Sequence, residues 1–152
     1  MAYYMRYLMT DPQDITLPLL ADMLQQVDAA YTIEQTPDAA FIEAGLLKYG
    51  ETVLGDAEIN RADDELFADE INALHDELYH ELPSEGLTTV LATLKQAVLL
   101  LAVEVMWEGD DEDTALQRLD PLWDWLLANR AGLLQSDGEG YYDRSGTLIL
   151  EV

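Results

Sequence analysis

The most uniform hydrophobic segment of the chain runs from residue 98 to 107, VLLLAVEVMW, and Glu104 is its one charged residue. A helix through these residues would carry apolar side chains on every side, whereas a strand buried on both faces has a near-continuous apolar sequence. The pattern therefore predicts a central strand. The alternative is one buried helix from Leu87 to Trp107, since helical spacing of apolar residues continues to about Ala97. Ten residues are too few to cross a bilayer, which needs about 20.

The pattern of apolar and polar residues in the first 60 positions predicts several strands and one helix. A β-rich segment at 3–9 ends before Pro12, and Thr16 can cap a helix that continues to about Val27. A short strand is expected at 31–35. A hairpin should follow, formed by 41–49 and 52–60, with Gly45 and Gly55 at bulges or close approaches.

The pattern after residue 60 predicts helices first and strands last. Helices are expected at about 65–82, capped by Asp63 or Asp64, and from about 87 to 97. After the central strand, an acidic loop at 108–113 should lead into a helix at 114–129, which Pro121 should kink or split. Short strands are expected at 133–136, 139–142 and 147–151, joined by glycine-containing turns.

These elements predict an α+β fold, an antiparallel or mixed sheet with helices on one side. At 152 residues the chain fits a single acidic domain. It divides into a βαββ-type half at 1–60, a helical connection at 61–97 and a second βαββ-type half at 98–152. The halves are either related by a pseudo-twofold axis or are parts of an ordinary α+β domain without repetition.

Charge is the extreme property of this sequence: 31 acidic and 7 basic residues give a net charge of −24. Such a charge repels phosphate backbones and anionic membrane surfaces, so we expect no direct nucleic-acid binding and no membrane binding. No cysteine is present, which excludes disulfides, thiolate metal sites and cysteine nucleophiles. The N-terminal residues do not resemble a signal peptide, and we therefore expect a cytoplasmic protein.

The charge leads to the first functional hypothesis, a non-enzymatic interaction module that binds a basic protein. An inhibitor or immunity-type protein, whose carboxylates stand where nucleic-acid phosphates would bind, is one version of it. The carboxylates expected to bind the partner lie on the polar face of the helix at 65–82 and in the loop at 108–113. They are Asp69, Glu70, Asp76, Glu77, Glu81, Asp110 and Asp111.

Trp125 is the eighth predicted partner-binding residue. On a regular helix Trp123 shares the apolar face, so we expect it in the core, while Trp125 points about 160° away. An aromatic residue off the core face is either covered within the chain or offered to a partner, because interfaces favour tryptophan. A homo-oligomer formed through Trp125 is therefore a second hypothesis for this residue.

Other chemistry is weakly indicated. His75 and His80 are five residues apart on one predicted helix, so they diverge by about 140° and cannot share a metal there. The loop at 108–113 lacks the glycine and final glutamate of an EF-hand, and no nucleophile or phosphate-binding motif stands out. We predict no catalytic residue, metal ligand or cofactor. Two alternatives remain: salt adaptation of a domain with an unknown ligand, and a carboxylate-based enzyme or metal-binding protein using Asp137, Glu139, Tyr141 and Asp143.

Overall fold

The computed structural model describes residues 3–36, 43–107 and 111–152. Within these ranges the chain forms eight strands and four helices. In chain order they are β1 (Tyr4–Met9), α1 (Leu17–Val27), β2 (Tyr31–Gln35), β3 (Glu43–Tyr49), β4 (Thr52–Arg61), α2 (Glu65–Glu77), α3 (Glu85–Gln96), β5 (Leu99–Val105), α4 (Glu112–Asn129), β6 (Gly132–Ser136), β7 (Gly140–Tyr142) and β8 (Leu148–Glu151). The α+β prediction is confirmed.

All eight strands join one antiparallel sheet in the order β2-β3-β4-β5-β1-β6-β7-β8. The hydrophobic segment forms β5, which pairs with β1 on one side and β4 on the other. Six of its seven residues are buried, and Glu104 is the partly exposed one. The prediction of a central strand is therefore confirmed, and the alternative of one helix from Leu87 to Trp107 is wrong.

Two helices form crossovers on the same face of the sheet. α1 connects β1 to β2 at one edge, and α4 connects β5 to β6 in the opposite direction. β1 and β5 are antiparallel, and their crossovers leave in opposite directions along the sheet. When both crossovers have the same hand, these two reversals cancel, so α1 and α4 lie on the same face. We call this the first face. Its core contains the odd-numbered β5 residues, together with Tyr7 of β1, Leu20 and Leu24 of α1, and Leu119 and Trp123 of α4.

The other two helices cover the second face, so helices lie on both sides of the sheet. The prediction placed them on one side, but side chains alternate along a strand and the even-numbered Leu8 and Leu100 are buried as well. They pack with Phe67 and Leu74 of α2 and with Leu94 of α3. The periodicity of these helices had shown that each buries a stripe, without showing against which face.

The strand order corresponds to a domain without repetition. Each half has a strand, a helix and three strands, one strand more than βαββ. In the first half, the strand after the helix is at the sheet edge and the chain returns toward β5. In the second half, β6 lies beside β1 and the chain moves outward. A twofold axis between β1 and β5 would exchange β4 with β6. However, β4 is the last strand of the first half, whereas β6 is the first strand after the helix in the second half.

Local chemistry explains the helix boundaries. Thr16, Asp64, Ser84 and Asp111 are the N-caps of the four helices, and each side chain accepts a hydrogen bond from a backbone amide in the first turn. α4 begins two residues earlier than expected and continues through Pro121 without being split.

The segment from Glu77 to Gly86 connects α2 to α3. α2 ends at Glu77, five residues before the predicted end. The side chain of Leu78 is buried in the second-face core and its amide turns back toward the α2 carbonyls, while Pro83 disfavours helical backbone before it. Gly86 then lets α3 approach β8, since a Cβ there would lie 1.8 Å from the Ile149 carbonyl oxygen.

Candidate functional site

The structure divides the predicted partner-binding residues between the two faces. Asp69, Glu70, Asp76 and Glu77 lie on α2 and Glu81 follows in the turn after it, all on the second face. Asp111 is the N-cap of α4 and Trp125 lies on this helix, which covers the first face. Asp110 lies outside the described residues. The residues from 69 to 81 are therefore the ones that the fold groups together.

The connection between α2 and α3 exposes large apolar side chains in an acidic setting. We define the acidic corner as Asp76, Glu77, Tyr79, Glu81, Leu82 and Glu85. Tyr79 is 82% exposed and Leu82 is 83% exposed. The Tyr79 ring contacts the His80 ring edge-on, with centroids 5.1 Å apart. Both apolar side chains are thus held on a turn between two packed helices without being covered by the chain.

The helices of the second face carry almost no positive charge. Residues 62–94 contain nine carboxylates and neither lysine nor arginine. Ion pairs in the described part of the chain use Arg6, Lys48 and Arg61, and their partners do not include a carboxylate of the acidic corner. These three basic side chains therefore do not compensate the charge of the corner.

Glu70 differs from its neighbours on α2 because it is tied to the sheet. The guanidinium of Arg6 donates from Nε to Glu70 at 3.1 Å and from Nη1 to Asp137 at 2.9 Å and to Gln135 at 2.8 Å. Burial raises the pKa of Asp137, but hydrogen bonds from Gln135 and the Tyr4 amide, together with the charge of Arg6, lower it by more, so the net pKa is below the ordinary value. Glu70 is thus a structural residue that fixes α2 over β1.

Three carboxylates on the second face were missed by the sequence analysis. Asp56 and Glu58 on β4 and Glu104 on β5 point to the same face as Arg6, and Asp56 is paired directly with Glu104. Burial raises the pKa of both Asp56 and Glu58, and the neighbouring carboxylates raise them further. The alternation of acidic residues at 56 and 58 indicates that these two side chains share a face of the strand. Only the strand pairing shows that Glu104 lies opposite Asp56.

Asp111 and Trp125 have local roles on the first face. Asp111 accepts a hydrogen bond from the Thr114 amide at 2.8 Å, and hydrogen bonds from the Thr114 side chain and from this amide lower the pKa of its carboxyl group. Trp125 is partly buried against the first-face core, and the Arg130 guanidinium lies 5.0 Å from the centroid of its ring. This contact matches the interpretation of Trp125 as covered within the chain.

The C-terminal carboxylates and the histidines do not form a joint site. Asp137 faces Arg6 on the second face, whereas Glu139 lies in a cleft on the first face. Asp143 accepts hydrogen bonds from Ser145 and Thr147 in its own turn, and Tyr141 is buried in the second-face core. His75 lines a shallow groove between α2 and α3. Within the ranges given above, no group of three or more acidic or histidine side chains is arranged to hold a metal ion.

No protein-family model, curated protein sequence or solved structure matches this chain. Among the helices described, none is both long and apolar enough to cross a membrane.

Proposed function

We propose that the protein is a non-enzymatic binding module whose acidic corner docks a basic protein segment that carries apolar side chains. The supporting observation is the exposure of Tyr79 and Leu82, at 82% and 83%, among the carboxylates of the corner. Large side chains that are this exposed contribute little to the core of the monomer. A partner that covers them would gain about 25 cal/mol for each Å² of apolar surface removed from water.

The chemistry of the corner matches the usual anatomy of a protein interface. Interfaces bind through a few apolar or aromatic anchors that are surrounded by polar groups, and tyrosine is among the favoured anchors. Here Tyr79 and Leu82 are the anchors, and Asp76, Glu77 and Glu85 form the rim. A basic segment would neutralise the rim, while its apolar side chains cover the anchors.

The net charge of −24 supports the same proposal through the rate of association. A surface potential of one sign steers an oppositely charged partner toward the surface and suppresses binding of acidic ones. It also disfavours nucleic acids and anionic membranes as partners. An inhibitor of a basic protein, in a cytoplasmic location, is the version of this function that we favour.

The test uses two defined peptides, a helical lysine–leucine peptide with an apolar stripe and a lysine–serine peptide of equal charge. Binding is measured by fluorescence anisotropy at rising KCl concentrations. We expect the lysine–leucine peptide to bind more tightly, and both affinities to fall with salt as screening increases. The double substitution Tyr79→Ser with Leu82→Ser should weaken the binding of the lysine–leucine peptide about tenfold and leave the binding of the lysine–serine peptide unchanged.

Val27→Ser is the matched control, because Val27 is 59% exposed at the end of α1, away from the corner. Neither variant should change the free energy of unfolding by more than about 0.5 kcal/mol, since no core contact is lost. Equal binding of the two peptides, or equal weakening by the control, would refute the proposed site. If binding is absent while thermal stability rises steeply with KCl, the acidity is better explained by salt adaptation.

A further inference from the structure

A cleft of about 320 Å³ opens on the first face, between α4 and the strands β1, β6 and β7. Much of its lining is apolar: Met5 and Leu134 come from the sheet, while Leu116, Trp123 and Leu127 come from α4. Small-molecule sites are commonly clefts of about 300–1,000 Å³ with an apolar lining and a few polar groups. The size and lining of this cleft are typical of such a site.

The polar lining of the cleft is negatively charged. Asp120 and Asp124 are one turn apart on α4, and Glu139 lies across from them. Desolvation raises the pKa of Asp120, and the charge of Asp124 raises it further. Among the described residues that line the cleft, none is a lysine, arginine or histidine. A cation would therefore relieve a repulsion that the chain leaves in place.

Glu139 is held in the charged form by its neighbours. Ser136 Oγ donates to Glu139 Oε2 at 2.7 Å, Tyr142 Oη donates to Oε1 at 2.9 Å, and Tyr3 Oη donates to Oε2 at 3.1 Å. These hydrogen bonds, that from Ser136 first, lower the pKa of Glu139 although burial opposes them. The carboxylate is thus pre-oriented, with two phenol rings beside it.

Trp123 supplies aromatic surface to the lining of the cleft. It lines the cleft, is only 3% exposed, and its Nε1 has no hydrogen-bond partner in the described part of the chain. Nε1 is a hydrogen-bond donor, which an ammonium group cannot satisfy, so Trp123 would contact a cationic ligand through its ring and not through this atom. Indole and phenol rings also attract organic cations through their faces.

We propose that this cleft binds a small organic amine that carries a hydrophobic body. The ammonium group pairs with the carboxylates of Asp120 and Asp124, which are one turn apart on α4, and the hydrophobic body packs against Trp123 and Leu127. The site lies on the first face, opposite the acidic corner, and does not depend on the function proposed for the corner. Both an amine metabolite and a lysine side chain of a protein have the required cation, so the test separates them.

The experiment is calorimetric titration of the whole protein with 2-phenylethylamine. Its neutral analogue 2-phenylethanol and its anionic analogue 3-phenylpropionate are the first controls, and Nα-acetyl-lysine amide is the probe for a protein side chain. We expect saturable 1:1 binding of the amine, binding of the alcohol that is at least tenfold weaker, and no binding of the anion. Tighter binding of the lysine derivative than of the amine would overturn the assignment to a small molecule.

Two variants locate the binding. Asp120→Asn should weaken the binding of 2-phenylethylamine about tenfold, because the substitution removes a charged partner of the ammonium group. Asp22→Asn on the exposed side of α1 makes the same change in net charge and should have no effect. Leu116→Trp, which fills the cleft, should abolish binding while circular dichroism confirms the fold. The proposal fails if the amine does not bind at millimolar concentration, or if Asp22→Asn weakens it as much as Asp120→Asn.

Discussion

On the first face β5 presents Leu99, Leu101, Val103 and Val105 to α1 and α4, whereas on the second face it presents Leu100, Ala102 and Glu104. The same strand is therefore apolar along its whole length on one side and becomes polar toward its end on the other. The second face carries the Arg6 network and the two β4 carboxylates whose pKa is raised. Its helices α2 and α3 also carry the acidic corner.

This difference shows where an acidic chain can place its charge. The first face is covered by the two crossover helices, which bury a continuous core. The second face is covered by a helical hairpin between neighbouring strands β4 and β5, and its cover is apolar over Leu8, Leu100 and Leu133. Beyond these residues the sheet surface is polar, and carboxylates there are tolerated because water or Arg6 remains close to them. Stability should therefore depend mainly on the first face.

The largest effect is expected from Leu101→Ala, which removes a fully buried side chain from the first-face core. We expect the free energy of unfolding to fall by about 2–5 kcal/mol, from lost burial and from the cavity left behind. Glu104→Ala, three residues further along the same strand, is the matched comparison and should cost less than about 0.5 kcal/mol. Urea denaturation measures both. Equal losses would contradict the asymmetry between the faces.

The second effect concerns Arg6, whose side chain is 13% exposed and pairs with Glu70 and Asp137. Arg6→Met keeps most of the side-chain volume but leaves both carboxylates without their cation. We expect a loss of about 2 kcal/mol, less than for a fully buried pair because both carboxylates remain partly in water. Lys48→Met, which breaks the exposed pair with Glu34, is the control and should cost clearly less, because solvent screens an exposed pair. If the two variants lose equal stability, the Arg6 network does not fix α2.

The smallest effect is a gain from Glu58→Gln. The folded state raises the pKa of Glu58, mainly through burial, so its ionised form is less stable in the folded protein than in the unfolded chain. The penalty is absent below the ordinary pKa, where both states are protonated, and is complete above the raised pKa. We expect the variant to be more stable by about 0.5 kcal/mol at pH 7.

Denaturation at a series of pH values checks the sign of this effect. The advantage of Glu58→Gln should shrink as the pH falls through the interval between the raised and the ordinary pKa. Glu51→Gln, in the exposed turn between β3 and β4, makes the same change in net charge and is the control. An advantage that grows as the pH falls would show that Glu58 is stabilised by folding.

Much of the element order could be predicted from the sequence, because periodicity and capping are local properties. The strands at 31–35 and 52–60 and the helix that Thr16 caps are close to their predicted positions. The candidate site was predicted less well. Residues 69–81 are grouped as expected, but Tyr79 and Leu82 were assigned to a helix that ends before them. Their exposure depends on Leu78 being buried against the second-face core, which involves residues distant in sequence.

The sequence by itself determined the class of elements, the central strand and the excess of negative charge, since each depends on residue type and spacing alone. Tertiary structure decided the strand order, the division of the helices between two faces and the side to which each carboxylate points. Glu104 shows the reason. Its neighbours in sequence are apolar, while the residue paired with it across β4 is Asp56, and a pairing between residues far apart in the chain leaves no periodic signal in the sequence.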